Sequence, residues 1–490
     1  MSMEALFAPR GVVVVGASTH PGKFGFVTLH NLIDSGYEGA IFATNHQRSE
    51  VLGIQTVSEV TEYAGETIDL AVICTPKAAV EQVVRDCHQI GVTAVFVTSA
   101  GYAEAGETGA VDQQRLVELC QELGVTLAGP NGQGVVSTPA KLCAQIVAPY
   151  PPSGSIGIAS QSGNFVSSFM NWSQATGVGV SRAVSAGNAA ACTVTDYLEW
   201  FGTDAATKVG LAYVEGLARP REFFERLSSV TGQMPVVVVK GGTTSDGAAA
   251  AASHTGSLAS NASIFAGACR QFGLTQAATI EDAFTAAATF ATQPLPVGGR
   301  TVILTTAGGW GVVTADAVGS EPDLEVMALP PDLQSQLDSL LPPRWSHNNP
   351  VDCAGGETRD TIPEVLGLIA QHRDVDAVIY LGIGIQSNQA KMFAQGRFAA
   401  LEDVQRITAY HRRQDERFAT AAAELIAATG KPILVATELA IADPSNPGPA
   451  TLRSHGLLCY SSGNQAVRAL GHLVRYAKFR GLTRVPSEAE

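Results

Sequence analysis

At 490 residues the chain exceeds one compact domain, and ordinary domain sizes set an expectation of about two to four units. Apolar residues make up 46%, charged residues 16%, and there are 50 glycines, a balance that suits buried parallel strands with tight turns and excludes a disordered or coiled-coil chain. The formal charge of −14 and pI near 5.2 exclude a general nucleic-acid or anionic-membrane surface, because those partners demand basic patches.

The chain opens with MSMEALFAPRG, which lacks the basic start and apolar run of a secretory signal. No later stretch holds the roughly 20 unbroken apolar residues of a membrane helix, so a cytoplasmic protein is expected. Gly11-Val-Val-Val-Val-Gly16 reads as a buried strand closed by a glycine, followed by a polar loop through Gly25 and a helix ending at Ser35-Gly36. Ala40 to Asn45, Asp69 to Thr75, Ala94 to Ser99 and Thr126 to Gly129 repeat this step. Residues 8–148 are therefore expected to form a doubly wound parallel sheet, placing the fold in the α/β class.

Tyr150-Pro-Pro-Ser-Gly154 reads as a linker, since two prolines block helix and central strand alike. Beyond it, strands are expected at Ser155 to Ser160, Arg182 to Ser185, Val209 to Glu215 and Pro235 to Lys240. A second linker, Gln293-Pro-Leu-Pro-Val-Gly-Gly299, precedes a further strand-glycine-helix opening at Thr301 to Ala317. The domain boundaries are placed at 1–150, 151–292 and 293–490. The polar, helix-prone segment 386–429, with His411-Arg-Arg-Gln-Asp-Glu-Arg417, is read as a solvated helix face without chemistry. Cysteines 74, 87, 120, 143, 192, 269, 353 and 459 form no CxxC pair, fit neither a zinc site nor a disulfide framework, and read as reduced thiols.

Several loops are suited to anions. Gly16-Ala17-Ser18 through Gly22-Lys23-Phe24-Gly25 lies between a strand and a helix, where backbone amides and the helix dipole receive phosphate, although the spacing is not GxGxxG. Asn45 and Thr75-Pro76 end neighbouring strands on the same edge, the ligand crevice of an open sheet. Ser160-Gln161-Ser162-Gly163-Asn164 and Thr305-Thr306-Ala307-Gly308-Gly309-Trp310-Gly311 each end a strand and open a helix, and two such helix ends facing each other would hold a phosphoryl group. Simple tight turns are the competing reading. His254, set among Ser, Thr and Gly after Lys240-Gly-Gly, suits an exposed nucleophile, with Glu215 as the carboxylate orienting its imidazole; an ordinary surface or capping histidine competes.

The motifs also occur in one order: VVVVGAS with PGKFG, SAGYAEAGETG from Ser99, AGPNGQGV from Ala128, SQSGN, SAGN at Ser185, YVEGL at Tyr213, VVVVKGG before SHTGSLA, and NNPVD at Asn348. This series resembles the α-type half of NDP-forming (ADP-forming) acyl-CoA synthetases, of the succinyl-CoA synthetase superfamily, over nearly the whole chain. The resemblance implies a Rossmann-like CoA-binding domain in 1–150, with Ser99 and Asn131 joining the crevice residues above. It implies a ligase domain carrying phosphohistidine His254 and Glu215, then a second flavodoxin-like ligase domain. The Ser160 and Thr305 loops would cradle phosphate. The implied reaction interconverts acyl-CoA, ADP and phosphate with a carboxylic acid, CoA and ATP. The family's ATP-grasp module is not found in these residues, which implies an oligomer with an ATP-grasp β-type subunit holding ADP/ATP and Mg2+, and no metal on this chain.

Gly132 stands where relatives usually carry a cysteine, and Thr306 and Trp310 replace the usual asparagine and proline. Two other readings remain at this point: a catalytically silent CoA-binding regulator, and an NAD-dependent dehydrogenase. The second lacks an acidic residue at the end of the second strand, where Thr44-Asn45 stand.

Overall fold

Strand β1 (Gly11–Val15), GVVVV, is buried along its whole length, as a parallel strand covered on both faces must be. It belongs to a computed structural model that describes residues 2–147, 149–247, 262–353 and 361–484. The chain divides into two compact units, one of residues 1–175 and 179–287, the other of 176–178 and 288–490.

The first unit contains two sheets. β2 (Ala40–Thr44), β3 (Leu70–Ile73), β4 (Ala94–Val97) and β5 (Thr126–Ala128) join β1 in the order β2-β1-β3-β4-β5, with every pairing parallel. The order reverses at β1 and β3, which opens a crevice beyond their carboxyl ends. The second sheet comprises β6 (Gly134–Ser137), β7 (Leu142–Gln145), β8 (Ser153–Ser160), β9 (Val180–Ser185), β10 (Val209–Val214), β11 (Val236–Lys240) and β12 (Thr275–Gln276). Its order is β12-β11-β10-β8-β9-β6-β7.

The hairpin β6-β7 departs from the expected layout. Residues 134–145 were expected to belong to the first sheet, yet β6 pairs antiparallel with β9. Gly134 permits it: its φ is +122°, and a Cβ there would lie 2.2 Å from the Ala144 carbonyl oxygen. One apolar cluster joins the two sheets, containing Phe96 and Ala128 of the first and Val135 and Val184 of the second. The helix Met3–Phe7 inserts Phe7 into it, stacked on Trp200 with centroids 4.8 Å apart.

The second unit has its own core and a parallel sheet. β13 (Arg300–Thr305), β14 (Glu325–Val326), β16 (Ala377–Leu381) and β17 (Ile433–Ala436) run in the order β14-β13-β16-β17, and β15 (Val351–Asp352) pairs with β13. Segment 386–429 forms helices Ile385–Gln395 and Glu402–Thr429. Its charges are not all solvated, contrary to expectation: Asp415 is 1% exposed and accepts hydrogen bonds from Gly384 N at 3.1 Å and Ser387 N at 2.6 Å. Gly384 offers no side chain to cap the first of these helices, so a carboxylate from the second does so across space. No helix of the described residues is long and apolar enough to cross a membrane.

Candidate active site

The crevice of the first sheet is shaped by backbone folded back on itself. Gly16 has φ +90°, and its N–H donates to Thr44 Oγ1 at 3.1 Å. Ala17 N donates to Thr44 O at 2.9 Å, and Asn45 Nδ2 donates to Ala17 O at 2.8 Å. Ser18 Oγ accepts from His20 N, while Gly22 N donates to His20 Nδ1, both at 3.0 Å. Gly25 must be glycine, since a Cβ would stand 2.1 Å from Gly16 O. Exposed Lys23 precedes the helix Phe24–Asp34, adding a cation to the positive helix end.

Thr75 and Pro76 form the opposite lip. Pro76 precedes the helix Lys77–Gln89, and Ser99 Oγ donates to Thr75 O at 2.5 Å. Asn131, at φ +58°, donates its N–H to Ser99 O at 3.1 Å and its Nδ2 to Asn188 Oδ1 at 3.3 Å. Thr75 Oγ1 is buried and has no hydrogen-bond partner among the described residues. Close-approach glycines, a cation and an unused hydroxyl fit a phosphate-bearing ligand with further polar groups, such as CoA.

In the second sheet Gln161 locks two loops together. Its Oε1 accepts from Glu215 N at 2.6 Å and Gly216 N at 3.3 Å, and its Nε2 donates to Gly216 O at 3.0 Å. Tyr213 OH donates to Glu215 Oε1 at 3.2 Å. Burial, and then the Glu215 charge, push the Tyr213 phenol well above its usual range, so it remains a donor. The ammonium of Lys240, 6% exposed, donates to the carbonyls of Glu215 and Gly241. A Cβ on Gly241 would stand 2.5 Å from Tyr213 OH and 3.4 Å from Glu215 Cγ. The chain heading for His254 therefore leaves the sheet beside Glu215. His254 itself lies in 248–261, outside the described residues.

The two phosphate-loop candidates share one local design. Ser160 Oγ accepts from Ser162 N at 3.0 Å and donates to Ser162 O at 2.7 Å; Thr305 Oγ1 does the same with Ala307 at 3.0 and 2.9 Å. Each hydroxyl ends a strand and turns the chain into a helix, Gly163–Thr176 in one case and Gly308–Ser320 in the other. Asn164 is exposed at the first helix start. At the second, Gly309 has open space, Gly311 packs near Pro350, and the Asp352 carboxylate would sit 2.6 Å from a Cβ on Gly308. Thr306 Oγ1 is buried without a partner among the described residues, and Trp310 is 36% exposed.

Three contributors escaped the sequence reading. Gln133 lies against Gly163, Asn188 gathers Asn131, Glu104 and Gln113, and Lys240 fastens the Glu215 loop. The last two sit inside the SAGN and VVVVKGG motifs, but their contacts come from distant chain. Among the described residues no cluster of His, Cys, Asp and Glu could hold a metal.

Comparison with known proteins assigns this architecture. Residues 10–138 match the CoA binding domain family, 153–290 the succinyl-CoA ligase like flavodoxin domain, and 301–393 the Ligase-CoA domain. The chain is 39% identical over 364 residues to the acetate–CoA ligase [ADP-forming] I subunit alpha of Pyrococcus furiosus, spanning 72% of this chain and 77% of the relative. It is 35% identical over 378 residues to the II subunit alpha of the same organism, spanning 77% and 81%. A solved dinucleotide forming acetyl-coenzyme A synthetase 1 from Ca. Korarchaeum cryptofilum, in complex with phosphate and ADP, superposes with TM-score 0.83 at 29% identity over 98% of both chains. Carrying CoA-binding and ligase modules and this similarity to the alpha subunits, the chain belongs to the ADP-forming acyl-CoA synthetases, ligases that form carbon–sulfur bonds, within the succinyl-CoA synthetase superfamily.

Proposed function

We propose that this chain is the α-type, CoA- and phosphohistidine-bearing part of an ADP-forming acyl-CoA synthetase, and that an ATP-grasp β-type subunit carries ADP/ATP and Mg2+. The alpha-subunit relatives support the need for a partner. Their names specify acetate, and a small carboxylic acid is the substrate class we assign. Eight free thiols support a reducing, cytoplasmic setting.

The chemistry runs in three balanced steps. A phosphate oxygen attacks the thioester carbonyl, forming a C–O bond as the C–S bond breaks, and CoA leaves as thiolate to be protonated. An imidazole nitrogen of His254 then attacks phosphorus, forming P–N while the P–O bond to the acyl group breaks and the carboxylate departs. Finally a terminal oxygen of ADP attacks phosphorus, P–N breaks, and ATP leaves with the imidazole restored. Glu215 accepts the second imidazole N–H and stabilises the cation that forms as the first nitrogen attacks. The helix start at Gly163 offers N–H groups to the phosphoryl charge, as the helix start at Gly308 does within the second unit, and phosphoryl transfer requires positioning more than bond-making from the protein.

The observation that carries this reading is the position of Glu215, pinned by Gln161 and adjacent to Gly241 where the His254 segment departs. Asn45 also supports it over dinucleotide binding, since the end of β2 offers an amide turned onto Ala17 O rather than a carboxylate for a ribose. His254→Ala in the reconstituted complex should abolish acid-labile labelling from γ-labelled ATP and nucleotide-coupled turnover while CoA still binds. Full activity in that variant would refute the assignment.

A further inference from the structure

Gln133 sits where the crevice of the first sheet meets the helix Gly163–Thr176 of the second. The chain leaves β5 past Asn131, which is tied to Ser99 O, and then passes through buried Gly132. A Cβ on Gly132 would stand 2.5 Å from Phe96 Cζ and 2.6 Å from Ser185 O, so nothing projects there. The next residue carries the first side chain able to project. Gln133 N donates to Ser185 Oγ at 3.1 Å, and Gln133 O accepts from Ile146 N at 2.8 Å, which fixes its main chain. Its carboxamide reaches the helix start: Cδ and Oε1 lie 2.0 and 2.2 Å from where a Cβ on Gly163 would be. Only glycine at 163 allows this. Gln133 Oε1 is buried and accepts no hydrogen bond among the described residues.

A buried carbonyl without a donor costs stability, and the surroundings nevertheless hold it in place. The ionised diphosphate of CoA cannot satisfy it, because its oxygens and Oε1 are both acceptors. A secondary amide can: its N–H matches Oε1, and its carbonyl matches the neighbouring NH2. The pantetheine arm of CoA carries secondary amides, the last of them attached to the cysteamine that ends in the reactive sulfur.

We infer that Gln133 is a positioning residue for CoA, pairing its carboxamide with the cysteamine amide and so setting the sulfur at the start of helix Gly163–Thr176. This rests on the CoA reading of the crevice.

The test is calorimetric titration of the full chain with CoA and with adenosine 3′,5′-bisphosphate, which retains nucleotide phosphates but lacks pantetheine. Gln133→Leu should bind CoA about tenfold more weakly and the bisphosphate unchanged, with a melting midpoint no lower than that of the wild type. Gln133→Glu, which keeps an acceptor for the N–H and loses the donor, should fall between the two. In the complex, KM for CoA should rise while KM for phosphate stays fixed. Undiminished CoA affinity in Gln133→Leu overturns the inference and leaves the CoA reading intact, and equal losses for both ligands overturn it as damage to the crevice. A wild-type chain that binds neither ligand removes the CoA reading, and the inference with it.

Discussion

Glu215 is positioned through its main chain before its carboxylate meets anything, because Gln161 accepts from both residue 215 and residue 216 and donates back to Gly216 O. Gln161→Leu should lower unfolding free energy by about 2–3 kcal/mol in urea, since amides in a part-buried loop lose their partner. Labelling of the complex by γ-labelled ATP should also slow at least about tenfold, as a misplaced orienting carboxylate no longer holds the imidazole. Unchanged labelling at lowered stability would make Gln161 a structural residue only. The conservative Gln161→Glu keeps both acceptor bonds and should recover most of the rate. Gly132 gives a second prediction. Gly132→Cys, which restores the residue usual in relatives, should cost about 1–3 kcal/mol by overpacking against Phe96. A Phe96→Leu background should recover part of that cost and not all, because Ser185 O is backbone and cannot yield as a ring can. The missing cysteine was visible in the sequence; the ring that fills its space, contributed by β4, was not.

At the scale of elements, legibility followed burial. The valine runs of β1 and β11 are buried on both faces and end in glycine or a polar residue, so their extent was readable without their partners. Strands β6 and β7 carry equally buried short runs, but nothing local says which sheet a strand joins, and their register with β9 is set by chain far downstream. The helix Glu402–Thr429 failed for a related reason: a charge run marks polarity, while the face that carries Asp415 is decided by the neighbouring helix start it caps. That cap makes a pH prediction. Burial raises the Asp415 carboxyl above its ordinary value of 3.8, against the opposing pull of its hydrogen bonds from Ser387 and Gly384. An acid raised on folding favours the native state most below its unfolded pKa and loses that advantage as pH rises through the raised one. The stability of wild type relative to Asp415→Asn should therefore decline as pH rises from about 4 through the raised value in denaturant melts. A pH-independent difference would show the carboxyl to be unperturbed.

For the molecule as a whole, an overall charge of −14 must coexist with an anionic substrate, so attraction has to be local. The groups assigned to CoA, from Gly16 and Lys23 through Thr75 and Asn131 to Gln133 and Gly163, all belong to the first unit. That unit also has its own cores, independent of the one around β13 and β16. If CoA binding is a property of those groups alone, a fragment of residues 1–292 should melt cooperatively and bind CoA within about threefold of the full chain. Ending at Thr292 keeps the helix Ile280–Thr292 whole but uncovers Phe290, which in the full chain meets the Tyr476 ring at 5.4 Å. Phe290→Ser is the matching change for solubility, remote from the crevice in sequence and in contacts. The complementary fragment 293–490 should bind no CoA, and neither fragment alone should support nucleotide-coupled turnover with the partner, since the first lacks the Ligase-CoA domain and the second lacks His254. A first fragment that folds yet binds CoA more than about tenfold weaker would mean that the second unit contributes directly to the ligand, and the assignment of the crevice would have to be extended to it.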